Sequence, residues 1–584
     1  NQARLMSSNF ININPIKGLD IRSTFSIDYM SKEDYTYYST ETTQSYKASA
    51  DGQAKHRKDK MLNWQWDNTV SYKTLIKEKH RISAVLGANM SYYSQNWNSL
   101  DVKGFGNDFF SYKAIAGASK KEDFGVNSDF WTYSMASVFL RAGYVYDSRY
   151  YVTFTGRYDG SSKFGANNKW GYFPSGAVAW NIAEEEFMKN QNFFQSLKLR
   201  GSFGVTGNQA INAYGTLGLL TLANYAYGTS SLYPGYWQSA HSSPDLTWEK
   251  TYSYDAGIDM SILNHRLTLT VDWYKKNTKD LLFAKTIPYF YGGGSYWSNV
   301  GEMYSTGWEF TLEAYPVRTI NFEWSTTLTA SYLRTKVTDL DGENFLIPDA
   351  TRGGLMEGNI FIMKEGLPIS NFNLFKWVGL NEEGANLYQT VDGGTTTSPV
   401  DADRVITGNP IPKWNFGWNN TLRYKNWEMN IFFRGSTGFQ RLNITRFATS
   451  TMVPESRFIT SREGFERSWD IVENKSDALF ASSKNSLNRS TPRSTQWLED
   501  ADFLRLQNIS LSYLLPKNKT KFADITLGVS AQNLFTITKY KGLDPESSTT
   551  STTSTGAISD KELGMDYGTY PSARTFTFTV KLGF

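Results

Sequence analysis

The chain has 584 residues, no cysteine, and 60 Lys and Arg against 56 Asp and Glu. A net charge of +4 over so many ionic groups argues against nucleic acid as a partner, and the lack of thiols excludes disulfide frameworks, thiolate nucleophiles and cysteine metal sites. Aromatic residues make up 16% of a chain whose mean hydropathy is −0.46, and no run approaches the ~18 apolar residues of a membrane helix.

From the first residues onward the pattern is alternation. Residues 3–14 open a series of about 17 period-two segments. The series continues through 19–29, 62–73, 81–93, 131–146, 150–159, 170–182 and 197–205. In 249–261, Tyr252, Tyr254, Ala256, Ile258 and Met260 alternate with Ser253, Asp255, Gly257 and Asp259. After it come 266–276, 301–315, 321–334, 413–424, 427–436, 503–514, 524–535 and 575–584. Period two means strands with one apolar and one polar face. Most exceed the ~5–6 residues of an ordinary strand and match the ~9–11 needed to cross a bilayer at a tilt.

The connections alternate as well. Short ones, such as 15–18, 147–149, 263–266, 316–319, 425–426 and 516–523, separate long ones at 30–61, 94–130, 206–248, 277–300, 335–412, 437–502 and 536–574. Residues 160–169 are a shorter member of the long set, and 183–196, on the short side, reads as a brief helix. Short turns on one rim and long loops on the other belong to membrane β-barrels. The same parity places 371–380, which resembles a strand, inside the long excursion, because counting it would move the tight 424–427 hairpin to the wrong rim. The last strand carries Phe576, Phe578, Val580, Leu582 and Phe584 on one face and runs to the final residue. Counted back from there, an odd number of strands is expected before Asn1. Five would complete a closed wall of 22, the size whose lumen is normally plugged. The expected fold is therefore an all-β transmembrane antiparallel barrel, about 17 of its strands present, with the plug and first strands outside this sequence.

Several strings then point to a family. They are "RYDGSSKFGANNKWGYFPSGAVAWNIAEEEFM" (157–188), "LKLRGSFGVTGNQAINAYG" (197–215), "PDLTWEKT" (244–251), "NVGEMYSTGWE" (299–309), "GNPIPKWNFG" (408–417), "QNLFTITKYKGLDPE" (532–546) and "YPSARTFTFTVKLGF" (570–584). In this order the series resembles the barrel of SusC-like (SusC/RagA) TonB-dependent transporters of Bacteroidota. It departs from the family at 390–405, where "TVDGGTTTSPVDADRV" replaces an Asn-Gly-Asp-Gly type of stretch. The resemblance implies an outer-membrane importer that works with a SusD-like surface lipoprotein as lid and with TonB, through a plug not contained here. It implies oligosaccharides as the ligand class, with a peptide importer, or a passive porin or adhesion barrel, as the alternatives. Outer-membrane lipid and lipopolysaccharide are the expected surroundings.

Rings gathered in the long loops are the candidate contacts for ligand or lid: Tyr233, Tyr236 and Trp237, then Tyr289, Tyr291, Tyr296 and Trp297, with 371–377 ("NFNLFKW") as a third cluster. Rings stack on sugar faces or peptide side chains; packing between loops is the competing role. No catalytic residue, cofactor or metal is expected. His56, His80, His241 and His265 are scattered, and Glu184, Glu185 and Glu186 are consecutive rather than opposed across a cleft. Asp339, Asp341 and Glu343 read as a solvated turn, being too few for a calcium loop. The basic run "KHRKDK" (55–60) faces either water or anionic lipopolysaccharide.

Overall fold

A computed structural model describes residues 1–584 except 48–49, 228–230, 343–344, 348–359, 452–458, 489–491, 549–550, 553–557 and 560–562. Seventeen strands form one large sheet. In chain order they are β1 (Gln2–Ile13), β2 (Leu19–Tyr38), β3 (Gln53–Ile76), β4 (His80–Lys103), β5 (Gly125–Tyr146) and β6 (Tyr150–Ser161). Next come β7 (Trp170–Asn181), β8 (Phe194–Asn208), β9 (Glu249–Ile262), β10 (Leu267–Lys279), β11 (Glu302–Arg318) and β12 (Phe322–Asp339). The last are β13 (Trp414–Tyr424), β14 (Trp427–Thr437), β15 (Phe503–Leu515), β16 (Asp524–Thr538) and β17 (Thr575–Gly583). Each alternating segment of the sequence is one of these strands. Residues 371–375 form a short strand of a separate four-stranded sheet, in agreement with the parity argument. No helix among the described residues is long and apolar enough to cross a membrane, which says nothing of crossing by strands.

Two compact units divide the chain: Asn1–Trp180 with Gly201–Tyr254 and Thr278–Val300, and Asn181–Arg200 with Asp255–Asn277 and Gly301–Phe584. In the first, β1 to β7 pair each with the next in antiparallel register. Residues opposite one another share a face, so one rung reads Ile21, Val70, Leu86, Leu140 and Gly156 across β2 to β6. Val70, Leu86 and Leu140 on it are exposed, as are Phe25, Trp66 and Met90 two pleat repeats further on. The opposite face is polar, for example Arg157 on Asp159 at 2.8 Å.

The second unit repeats the arrangement from β11 to β17. Its apolar face carries Trp308, Leu328, Trp418, Leu511, Leu527 and Val529, all exposed. Arg200, on its polar face, binds Asp272 at 2.6 Å and Asp259 at 3.1 Å. Among the described residues β1 pairs only with β2 and β17 only with β16. Phe578, on β17, is 82% exposed.

Strands β2 to β5 run well past their alternating segments. β3 and β4 span 24 residues each, and their ladder is continuous from Gln53–Lys103 to Ile76–His80. Backbone pairing needs no apolar side chain, so a polar strand end leaves little trace in a hydropathy pattern. Residues 183–196 hold two 3-10 turns, Ile182–Glu184 and Glu186–Met188, before β8 begins. Neither turn has a side-chain cap on its first amides.

Candidate functional site

The long connections of the first unit rest on a small core built from the strings that carry the family resemblance. Phe164, Phe173, Val205, Ile211, Leu246 and Trp248 are buried together. The Trp248 ring lies 4.8 Å from Phe164 and meets Phe173 edge-on at 5.3 Å, and its Nε1–H donates to the Lys169 carbonyl at 3.1 Å. Asn168 donates to the Asp245 carbonyl at 2.7 Å. A Cβ on Gly165 would stand 1.9 Å from the Pro244 carbonyl oxygen, so only glycine fits there. The strings "DGSSKFG", "VTGNQAI" and "PDLTWE" thus belong together because they pack on one another.

Above this core the 206–248 and 277–300 loops join in one four-stranded sheet. The hairpin Leu219–Tyr227 with Ser231–Ala240 supplies two strands; Leu282–Thr286 with Ser295–Asn299 supplies the others. A parallel bridge, Ala240 to Ser295, joins the pairs. The Asn299 side chain fixes the base, accepting from the Thr247 amide at 2.8 Å and donating to the Thr247 carbonyl at 2.9 Å.

This sheet, with the turn between its last two strands, brings together candidate residues of two separate loops. Tyr233, Tyr236 and Trp237 are exposed on one strand, with Tyr236 68% accessible. Tyr225 packs against Gly235, where a Cβ would meet its ring at 2.4 Å, and donates its hydroxyl to the Tyr236 carbonyl at 3.2 Å. Tyr291 is 73% accessible beside exposed Phe290, their rings 4.5 Å apart. Tyr289 begins the 3-10 turn Tyr289–Tyr291, but its side chain lies outside the described atoms. Tyr296 is half-buried, and Trp297 packs onto the small core. Trp297 therefore serves loop packing, whereas Tyr236 and Tyr291 present exposed rings. Exposed Leu220 and Leu222 on the adjoining strand extend the apolar surface and were not among the candidates. Leucine next to "TLANYAY" reads simply as strand in a sequence.

The third ring cluster has the packing role. Phe372 and Leu374 are buried with Ile360, Phe361, Leu442, Phe447 and Trp497 in the largest core of the second unit, and Phe375 is buried beside Tyr388. Below it, charged groups tie the 437–502 and 536–574 connections down. Arg505 and Asp544 pair at 2.6 Å with side chains only 4% and 5% exposed. Burial opposes ionisation of Asp544, but the Ser572 amide and hydroxyl and the Arg505 guanidinium outweigh it and hold the carboxyl below its usual range. Glu463 receives two hydrogen bonds from Arg446, at 2.8 and 2.9 Å, and one from Lys541 at 3.1 Å. Arg446 above all brings its carboxyl down to about 2.

A cavity of about 360 Å³ in the second unit lies between the end of β12 and residues 409–413; no candidate ring lines it. No group of three His, Asp or Glu residues able to hold a metal occurs among the described residues. Asp339 accepts from the Asp341 amide at 2.9 Å in a turn, and Glu343 lies outside the described residues.

A long antiparallel sheet with one exposed apolar face and elaborate loops defines a membrane β-barrel wall. Residues 8–534 match the family described as TonB dependent receptor-like, beta-barrel, and the chain belongs to that family. It is 32% identical to the TonB-dependent receptor P26 of Formosa agariphila over 99% of this chain and 59% of that protein. It is 29% identical to the TonB-dependent receptor SusC of Bacteroides thetaiotaomicron over 77% of this chain and 44% of that protein. The RagAB peptide transporter structure superposes with a TM-score of 0.85 at 24% identity, over all of this chain and 62% of that one. The chain thus spans about half the length of the curated relatives it matches. It is an outer-membrane β-barrel protein, and the exposed apolar face of its sheet suits contact with lipid.

Proposed function

We propose that this chain is the barrel portion of a TonB-dependent importer that takes up large nutrients with a SusD-like lipoprotein as lid. In this reading strands outside the sequence pair with the free edges of β1 and β17, and a plug fills the lumen. The long connections face outward, and Tyr233, Tyr236 and Tyr291 contact ligand or lid. The observation that carries the reading is the loop sheet itself: two connections build one platform and leave Tyr233, Tyr236 and Tyr291 exposed. Packing alone would have covered them.

For the substrate, peptide is favoured over the oligosaccharide first expected. The support is a fold likeness to structures described as a peptide importer. Exposed tyrosines suit the polar, adaptable contacts that peptides require, and equally offer faces to sugars, which keeps oligosaccharide as the second reading. Uptake by cells carrying the full-length protein tests the proposal. Labelled peptides should enter only when TonB and the proton gradient are intact. Uptake that persists without TonB would identify a passive pore instead, and TonB-dependent uptake of oligosaccharides alone would restore the first expectation.

A further inference from the structure

The basic run 55–60 is split by the pleat of β3. Lys55 and Arg57 point to the polar face, where Asp101 binds Lys55 at 3.1 Å and Asp59 binds Arg57 at 2.8 Å. Lys58 and Lys60 fall on the other face, the one that carries Trp64, Trp66 and Val70 lower down. The ladders place two successive rungs there: Ser31, Lys60, Asn96 and Phe130, then Glu33, Lys58, Asn98 and Ser128. Among the described residues Lys60, Asn96 and Asn98 have no side-chain partner, and all three are exposed with Phe130 and Ser128. Glu33 is the one carboxylate on these rungs; it pairs with Lys58 at 2.7 Å and accepts from Tyr35.

Immediately below, Phe25, Trp64 and Tyr92 form a row of stacked rings at 6.1–6.2 Å spacing. Such a row marks a membrane interface. At ~3.4 Å per residue the two lysines lie about 14–20 Å along the tilted strand from Trp64, on the side of the ring row away from Val70 and Leu86. Lysine, amide and hydroxyl donors above a ring row match a headgroup that carries phosphate on sugar and acyl chains beneath. We infer that Lys58, Lys60, Asn96, Asn98 and Ser128 form a docking surface for a phosphorylated glycolipid of the outer leaflet. The lysines take the phosphate, the amides and hydroxyl take the sugar, and the acyl chains lie on Trp64, Trp66 and Met90. The inference rests on the reading that the long connections face outward.

The test uses the full-length protein, delipidated in detergent and titrated with lipopolysaccharide by native mass spectrometry. Retention of lipopolysaccharide by the wild type is expected, with affinity falling about tenfold or more in K58Q/K60Q and unchanged in K55Q, whose lysine lies on the other face. A heat-modifiable band on gels shows that each variant is folded. Phosphatase-treated lipopolysaccharide should bind as weakly as the double variant does to the intact lipid. Equal binding by K58Q/K60Q, or by the dephosphorylated lipid, overturns the inference. So does full displacement by millimolar inorganic phosphate, which would make this a free-phosphate site. Loss of TonB-dependent uptake with lipid retained would instead count against the importer reading and leave the docking surface standing.

Discussion

Trp248 and Tyr236 show how the same kind of side chain answers to different demands. Trp248 is 3% exposed and closes the small core under the loop sheet. Its replacement by alanine should cost about 3–5 kcal/mol, detectable as protease cleavage within 209–245 that the wild type resists. Gly165→Ala should open the same loops, because its Cβ has no room beside Pro244. Tyr236→Ala removes no packing, so the melting curve should stay within about 0.5 kcal/mol of wild type, whereas affinity for ligand or lid should fall. If Tyr236→Ala leaves both unchanged, the exposed ring has no binding role.

At the scale of elements, the loops of the second unit are held by charge as well as by their apolar core. Replacing Asp544 with alanine leaves the buried Arg505 guanidinium with Glu546, at 2.7 Å, as its remaining charged partner and should cost about 1.5–3 kcal/mol, read as faster amide exchange through 536–548. The Glu463 contacts give this layer an acid limit. Its carboxyl, ordinarily near 4.5, is held at about 2 by Arg446 and Lys541. The stabilisation is therefore complete above about 4.5 and lost as pH falls through about 2. Amide exchange around 462–467 should accelerate across that window, and Glu463→Gln should flatten the dependence. An unchanged profile in that variant would assign the acid response to other groups.

For the molecule as a whole, the two faces of the sheet impose opposite rules. Leu140 lies on the exposed apolar face and Thr153 on the polar one, by the register of β5 with β6. Leu140→Arg should cost about 2–4 kcal/mol in the bilayer and deplete the folded, heat-modifiable form, while Thr153→Arg should insert normally. Equal behaviour of the two variants would contradict lipid contact on that face.

Strand number and the two-faced character of the wall were legible because each strand's alternation is a local record of its two solvents. The place of 371–375 outside the wall followed from the same counting. The strand ends of β2 to β5 were not legible, since polar side chains paired above the lipid leave no hydropathy contrast. Nor did the order of residues distinguish Tyr236 from Trp297 or from Phe372, all of which are rings in long loops. Burial depends on which loops meet, and the meeting of 219–240 with 282–299, or of 371–375 with 444–447 and 497, is set by contacts between residues far apart in the chain. Alternation wrote the wall into the sequence; only long-range packing decided which rings it would hide and which it would leave for a partner.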